Sequence, residues 1–117
     1  MKAFSLSLLA LCLLLVCIIL NSVYVSYIST QMRVKVNELK ISPSIGKLEE
    51  IEDIWDKHKI FISISVPHKH TDELEKEFLV LRARFDSNEE IKESTELVLR
   101  AISEIETHGT VSLDNVL

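Results

Sequence analysis

The sequence has few of the residues that bind nucleotides or form disulfides: among 117 residues there are two glycines, two prolines and two cysteines. Gly46 and Gly109 lie far apart, so they cannot form a glycine-rich loop that binds phosphate or a dinucleotide. Cys12 and Cys17 both lie in an apolar run, where a spacing of five residues places them about 140° apart around a helix. These two cysteines therefore cannot pair with each other, and residues 33–117 have no thiol for a disulfide or a metal site.

Apart from Lys2, the first quarter of the chain has no charged residue, since no Asp, Glu, Lys or Arg occurs from Ala3 to Met32. Apart from Lys2, the 12 remaining basic residues and all 18 acidic ones lie in residues 33–117, which gives that part a formal charge of −6. An acidic surface repels phosphate backbones. The composition therefore predicts that the protein does not bind nucleic acid.

The uncharged segment has the length and composition of a transmembrane helix. As a helix, Ala3–Ile28 would be about 39 Å long, which exceeds the hydrocarbon core of about 30 Å. Tyr24 and Tyr27 lie near its C-terminal end, where aromatic rings favour the membrane interface, and Arg33 and Lys35 follow at the depth of the headgroups. We therefore expect a single-pass anchor in the cell membrane, with the lipid bilayer as a partner.

A cleaved signal peptide is the alternative to an anchor. Lys2 and the leucine-rich stretch from Leu6 to Leu20 have the order of a basic region followed by an apolar region. Cleavage also requires small residues at the −3 and −1 positions, and neither Leu20 with Ser22 nor Tyr24 with Ser26 provides such a pair. The length of the apolar stretch also exceeds that of a usual signal peptide, which favours the uncleaved anchor.

The orientation of the anchor follows from two opposing signals. Only Lys2 precedes the apolar segment, whereas three basic residues follow it: Arg33, Lys35 and Lys40. This distribution by itself favours a cytoplasmic C-terminus. A short basic N-terminus without an acidic residue is instead typical of a signal anchor, whose N-terminus stays inside. We predict from the second signal that the acidic domain lies outside the cytoplasm.

The remaining sequence predicts an all-α fold. Beyond the anchor, apolar residues recur at spacings of four, four and three: Ile28, Met32, Val36 and Leu39. This periodicity predicts an amphipathic stalk helix. Pro43 should end this helix. We therefore divide the chain into a membrane anchor and stalk helix, residues 1–41, and an acidic helical domain, residues 42–117, which we expect to form a small three-helix antiparallel bundle.

The first helix of that domain is predicted over Gly46–Ser65. Its apolar stripe consists of Leu48, Ile51, Ile54 and Trp55, and its polar face carries Glu49, Glu50, Glu52 and Asp53. The stretch Ile62–Val66 alternates as a strand does, but the sequence contains no second strand to pair with it. We therefore predict helix up to Pro67, with Trp55 in the core.

The next two helices are predicted from their caps and stripes. One begins after Thr71 as the N-cap and buries Leu74, Phe78, Leu81 and Phe85. The other begins with a capping box of Ser87 and Glu90, and Gly109 is expected to end it in the left-handed conformation. Its packing seam consists of Ile91, Thr95, Val98, Ile102 and Ile105. The apolar tail should dock on the bundle through Leu113 and Val116.

Four features of the sequence carry a family likeness. They are Trp55 followed by a lysine-rich turn, His68 before the sequence DELE, the stripe from Leu74 to Leu81, and the ending VSLDNVL. With the N-terminal anchor, they resemble the short single-pass bacterial membrane proteins of domain-of-unknown-function family 4363. The resemblance covers essentially the whole chain. It implies a helical domain and an association with the envelope or sporulation of endospore-forming bacteria, but it implies no activity.

Candidate chemistry centres on the histidines. His68 and His70 form an HxH pair, and His58 and His108 lie elsewhere in the chain. HxH ligation is typical of strands, whereas Pro67–Thr71 is predicted to connect two helices. The acidic residues lie on polar helix faces, and no catalytic motif occurs. We therefore predict no catalytic, cofactor-binding or metal-binding residues and no enzymatic activity.

Two functions fit these observations. The first is a structural or interaction protein, in which the anchor localises the domain and the acidic face or the stalk contacts a membrane protein or a second copy of the chain. A small domain of this kind has little net stability on its own, so association would stabilise it. The alternative is a membrane-tethered sensor or small-ligand-binding module, for which an enclosed pocket would be the evidence.

Overall fold

A computed structural model describes residues 2–110 of the chain, and all of its regular structure is helical. Helix α1 comprises Lys2–Ile41, α2 comprises Ile45–Ser65, α3 comprises His68–Asp86 and α4 comprises Lys92–Gly109. No strand occurs over this range. The prediction of an all-α fold is therefore confirmed.

Helix α1 has two parts with different surroundings. Its N-terminal half, up to about residue 24, is largely exposed, whereas its C-terminal half has six buried residues: Val25, Ile28, Ser29, Met32, Val36 and Leu39. The stripe that predicted a stalk therefore packs in the bundle core. Over residues 2–110 the bundle contains four helices rather than the three predicted, because α1 continues without a break from the apolar segment into the core.

Each helix runs antiparallel to its two neighbours. The order of the contacts along each pair shows this. Along α1, Tyr24 and then Lys35 contact His58 and then Glu50 of α2, and Arg33 and then Lys40 contact Glu106 and then Glu96 of α4, so the order is reversed in each neighbour. Arg82 of α3 likewise binds Glu52 of α2. Helix α1 packs against α2 and α4, and α3 packs against the same two helices from the opposite side. The short connections between helices impose this up-and-down arrangement.

The predicted core residues are largely confirmed. Trp55 is 2% exposed, and its indole nitrogen donates a hydrogen bond to Glu75 of α3 at 3.2 Å. Most residues of the predicted stripes are buried: Leu48, Ile51, Leu74, Phe78, Leu81, Ile91, Thr95, Val98, Ile102 and Ile105. Ile54 and Phe85 pack against this core while partly exposed. The hydrophobic periodicity therefore identified the inner face of each helix.

The ambiguous stretch at the end of α2 is helical, as predicted. Its alternation places Ile62 in the core, while Ile60 and Ile64 are 70% and 79% exposed. Val66 then adopts an extended conformation before Pro67. The β-branched residues on the outer side of α2 therefore do not contribute to the bundle core.

The predicted N-cap of α3 at Thr71 is wrong. The helix begins at His68, and Thr71 lies buried in its first turn, with its hydroxyl donating to the carbonyl of His68 at 3.1 Å. Pro67 precedes the helix with φ of −56°, a value that its ring fixes and that suits a helix start. The proline therefore starts α3 four residues earlier than the predicted cap at Thr71 implied.

The predicted capping box of Ser87 and Glu90 is also wrong. Asn88 has a positive φ of 56°, and its N–H bonds to the carbonyl of Phe85 while the N–H of Glu89 bonds to that of Arg84. This pattern is a Schellman motif, in which a left-handed residue closes the preceding helix. Ser87 therefore belongs to the end of α3, and α4 begins only at Lys92.

Gly109 does not end α4 in the left-handed conformation, because none of the glycines has a positive φ. It is buried as the last residue of α4, and a Cβ there would lie 2.5 Å from Val25 Cγ1 and 2.9 Å from Val66 Cγ2. The lack of a side chain thus allows α4 to approach α1 closely. The predicted docking of Leu113 and Val116 lies outside the described residues.

Candidate functional site

The N-terminal part of α1 is long and apolar enough to cross a membrane. An 18-residue window has a mean hydropathy of 3.0, and none of that window is buried against the rest of the protein. Its leucine, isoleucine and valine side chains project away from the bundle. This unpacked segment agrees with the anchor predicted from the sequence.

A line of exposed apolar residues runs along α1 from this segment into the bundle. These residues, which we call the outer stripe, occur at every seventh position: Leu6, Leu13, Leu20, Tyr27, Val34 and Ile41. Leu9, Val16 and Val23 lie between them and are also exposed. Together they have the a and d spacing of a coiled-coil seam.

The informative part of the outer stripe lies beyond the apolar segment. Tyr27, Val34 and Ile41 are 60%, 51% and 85% exposed, although the opposite side of α1 forms part of the bundle core. Each of these three residues lies two positions after a fully buried one, such as Met32 before Val34, and is thus about 160° away from it around the helix. Helix α1 therefore has two apolar faces, and the other helices cover only one of them.

A second exposed apolar surface lies at the C-terminal end of α2. Ile60, Phe61 and Ile64, which we call the α2 patch, are 60% to 79% exposed. Phe61 and Ile64 line a shallow groove together with Leu20 and Tyr24 of α1. The patch therefore lies beside the point at which the apolar segment enters the bundle.

The polar side chains hold α1 in place at this end and along its length. The Tyr24 hydroxyl forms a hydrogen bond with His58 Nδ1 of α2. Three ion pairs connect α1 to its neighbours, with N···O distances of 3.1 to 3.3 Å: Arg33–Glu106, Lys35–Glu50 and Lys40–Glu96. Because these pairs are partly exposed, we expect each to stabilise the fold only modestly.

Two of the four acidic residues of the face predicted on α2 form ion pairs within the bundle. Glu50 binds Lys35, and Glu52 binds Arg82 through two hydrogen bonds of 2.6 and 3.3 Å. This contact with Glu52 raises the pKa of Arg82 above its ordinary value. Glu49 and Asp53 are exposed and form no ion pair with any residue in the range 2–110. Only part of the predicted acidic face is therefore free to contact another molecule.

Three potential metal ligands meet where α3 begins and α4 ends. His70, Glu104 and His108 each offer one ligand atom, and these atoms lie within 4.8 Å of one another. The rings of His70 and His108 are stacked with centroids 4.0 Å apart, and His108 Nε2 lies 3.4 Å from Glu104 Oε2. His70 Nδ1 is buried and has no hydrogen-bond partner among the residues described. We call these three residues the histidine cluster.

The histidine cluster differs from the pair that the sequence suggested. His68 is exposed and lies outside the cluster, and His58 binds Tyr24. The structure instead brings His70 together with His108, which lies next to the last residue of α4. The spacing of Glu104 and His108, four residues apart on one helix, was the signal that could have indicated half of this cluster.

Several concave surfaces formed by residues 2–110 are open grooves between helices. One is lined by Lys40, Pro43, Phe85 and Ile91 at the end of the bundle opposite the anchor, and another by Tyr27, Val34 and Ile54 beside the outer stripe. Comparisons of the chain with protein-family models, with curated proteins and with solved structures find no match. The function is therefore inferred from the geometry of the exposed surfaces.

Proposed function

We propose that this protein is a membrane-anchored structural or interaction protein, in which α1 both spans the membrane and presents its outer stripe to a second copy of the chain. The single observation that carries the proposal is the exposure of Tyr27, Val34 and Ile41 in the part of α1 that belongs to the bundle. Exposed apolar residues aligned along one helix are typical of an interaction surface.

A membrane gives two copies of the chain a common direction. Because both anchors cross the bilayer with the same orientation, their α1 helices can meet only in parallel. A parallel pair in register places every residue of the outer stripe opposite its own counterpart, as in a two-stranded coiled coil. The stripe is therefore complementary to itself, which is what a two-fold symmetric dimer requires.

The charges beside the outer stripe fit the same arrangement. In a parallel coiled coil, a residue at position g lies close to the e residue five positions later on the other helix. With Val34 at position a, Arg33 is a g residue and Glu38 is the corresponding e residue. Arg33 of one copy, which also pairs with Glu106 of its own chain, would thus lie beside Glu38 of the other copy, and opposite charges there favour this register.

The aqueous part of the outer stripe should supply most of the driving force. Lipid tails are as apolar as leucine, so the stripe inside the membrane gains packing but no hydrophobic stabilisation on association. Val34 and Ile41 instead leave water, and complete burial of such a side chain contributes about 1.5 to 3 kcal/mol. These two residues should therefore determine whether the dimer forms.

The α2 patch supports placement of the bundle directly on the membrane surface. About 20 helical residues cross the hydrocarbon core, so a span that starts at Ala3 ends near Ser22. Phe61 and Ile64 lie beside Leu20 and Tyr24, at the depth where the hydrocarbon meets the headgroups. We propose that the patch dips into this interface, and that the domain lies outside the cytoplasm.

We also propose a role in the bacterial envelope, associated with sporulation. The support for this role is the resemblance of the sequence to domain-of-unknown-function family 4363. The sensor or ligand-binding alternative requires an enclosed pocket. Over residues 2–110 the inner faces of the helices consist mainly of aliphatic and aromatic side chains, and the grooves described above are open. An apolar core with an exposed apolar stripe favours the interaction function.

Cysteine crosslinking in native membranes tests the dimer. In a chain with Cys12 and Cys17 replaced by alanine, Val34→Cys should form a crosslinked species of twice the chain mass, because the two copies of residue 34 face each other. Leu79→Cys is the matched control, since Leu79 is 70% exposed on α3 and lies outside the stripe.

The two variants give three distinguishable results. Crosslinking of Val34→Cys alone, at twice the chain mass, supports self-association through the outer stripe. Equal crosslinking of both variants would show random collision and contradict the proposal. A Val34→Cys product of another mass would show that a different membrane protein covers the stripe.

A further inference from the structure

We infer that His70, Glu104 and His108 form a binding site for a divalent transition-metal ion, with Zn²⁺ as the ion that their chemistry fits best. The inference is independent of the proposed dimer, because the cluster lies between α3 and α4 and involves no residue of the outer stripe. It rests on the geometry of the three side chains and on one buried nitrogen atom.

Helix α4 provides two of the ligands in a favourable arrangement. Glu104 and His108 are four residues apart, so they project from the same face of the helix. Their Oε2 and Nε2 atoms are 3.4 Å apart. In a tetrahedral zinc site with bonds of about 2.0 to 2.1 Å, two ligand atoms are separated by about 3.3 to 3.4 Å. These two atoms therefore already have the spacing of zinc ligands.

Helix α3 provides the third ligand from its first turn. Because α3 and α4 are antiparallel, the start of α3 lies beside the end of α4, and His70 meets His108. Its Nδ1 atom is buried without a hydrogen-bond partner in the described part of the chain, and a buried polar atom of this kind costs about 1 to 3 kcal/mol. A metal ion bound at Nδ1 of His70 would provide the partner that this nitrogen lacks.

The free cluster needs only a small movement to bind the ion. Its potential ligand atoms lie within 4.8 Å of one another, so ligation must bring the most distant atoms closer by roughly 1.5 Å to reach tetrahedral spacing. Glu104 and His108 lie at the surface with about half of each side chain exposed. Their side chains can therefore rotate out of the stacked arrangement without disturbing the core.

The donor set determines the class of ion. Two imidazole nitrogens and one carboxylate oxygen suit Zn²⁺ and its neighbours Co²⁺ and Ni²⁺, whereas Ca²⁺ and Mg²⁺ prefer oxygen ligands throughout. Three protein ligands would leave the fourth tetrahedral position to water or to a ligand from another molecule. The alternative for this cluster is a simple ion pair between Glu104 and His108 beside a stacked histidine, which would bind no metal.

The position of the cluster gives metal binding a structural consequence. His108 directly precedes Gly109, which packs against Val25 at the point where α1 enters the bundle. An ion held by both α3 and α4 would fasten the end of the bundle next to the membrane. We therefore expect zinc to stabilise the folded protein as well as to bind it.

Titration of the full-length protein tests the site. The protein, purified without a histidine tag and reconstituted in lipid nanodiscs, should bind one Zn²⁺ per chain in isothermal titration calorimetry. Glu104→Gln and His108→Ala should each weaken this binding about tenfold or more, because each removes a ligand. His68→Ala is the matched control, since it removes an exposed histidine of the same helix turn and should bind zinc like the wild type.

Two further measurements make the outcome unambiguous. Circular dichroism without metal shows whether each variant is folded, and Glu104→Gln changes only an exposed side chain. Co²⁺ should give the visible absorption of a tetrahedral site in the wild type and in His68→Ala, but not in His108→Ala. Absence of saturable Zn²⁺ binding, or equal binding by His68→Ala and His108→Ala, would overturn the inference.

Discussion

Gly109→Ala tests the close approach of α4 to α1 that the structure shows. A Cβ at this position would lie 2.5 Å from Val25 Cγ1 and 2.9 Å from Val66 Cγ2, both shorter than a normal carbon contact. Valine side chains are stiff, so neither methyl group can move away easily. We expect overpacking to cost about 1 to 3 kcal/mol, against a gain of up to about 1 kcal/mol from the higher helix propensity of alanine.

The net loss for Gly109→Ala is therefore up to about 3 kcal/mol, and each kcal/mol should lower the melting temperature of a domain this small by about 4 to 8 °C. Thermal unfolding of the full-length protein in detergent, followed by circular dichroism, measures this change. Gly46→Ala is the matched control, because Gly46 lies in the first turn of α2 with only Ser44 Oγ nearby, at 3.6 Å. That variant should be slightly more stable than the wild type.

The two substitutions thus have opposite expected signs, although both replace a helical glycine by alanine. If Gly109→Ala raised the melting temperature as much as Gly46→Ala, the close contact between α4 and α1 would be refuted. Val25→Ala provides a second check, since removal of the Val25 methyl groups should make Gly109→Ala less harmful. Such non-additivity is expected only for residues in direct contact.

Two other predictions concern the α2 patch and the end of α3. If the α2 patch lies in the membrane interface, brominated lipids in nanodiscs should quench the fluorescence of Phe61→Trp more than that of the wild type, whose tryptophan is the buried Trp55. Leu79→Trp should show no such additional quenching. Equal quenching of the two variants would refute this placement. Asn88 has a φ of 56°, which glycine tolerates and alanine does not. Asn88→Ala should therefore lower the free energy of unfolding by about 1 kcal/mol, whereas Asn88→Gly should not. Chemical denaturation measures both values, and equal values would argue against the left-handed turn.

In helix α1, hydrophobic periodicity predicted which side of the helix is buried but not which helices bury it. The spacing of Ile28, Met32, Val36 and Leu39 correctly predicted that one side of the helix is apolar over this range. The periodicity did not indicate what covers that side. A stripe on a helix next to the membrane fits an isolated stalk as well as a member of a bundle, because the pattern records burial and not the partner that causes it. Only the positions of α2 and α4 decide between these arrangements.

The helix ends were harder to predict, because several local signals compete within a few residues. Thr71 and Ser87 are both favourable N-cap residues by type. Pro67 nevertheless starts α3 earlier, and the left-handed turn at Asn88 ends it later than the capping box implied. In each case the residue with the most restricted backbone, or with the greatest tolerance for a positive φ, determined the helix boundary.

Local sequence could indicate only half of the histidine cluster, the pair Glu104 and His108 on α4. His70 and His108 are distant along the chain, and they meet only because α3 and α4 are antiparallel with a short connection. The HxH spacing drew attention to His68, but residues two apart on a helix point in different directions. His68 is accordingly exposed while His70 faces α4. A sequence motif for a metal site is therefore informative only together with the secondary structure on which it lies.

The continuity of α1 has a mechanical consequence for the proposed function. A flexible linker between anchor and domain would let the domain rotate freely, whereas a helix that is packed in the bundle from Val25 to Leu39 fixes the domain relative to the span. The outer stripe then has one direction along its whole length, and pairing of the spans in the membrane would also align Val34 and Ile41 of the two copies above it. Because α2 and α4 are bound to α1 by ion pairs and by the core, such alignment would set the relative orientation of both bundles. The long uninterrupted helix is thus what would allow contacts within the membrane and contacts outside it to stabilise the same dimer.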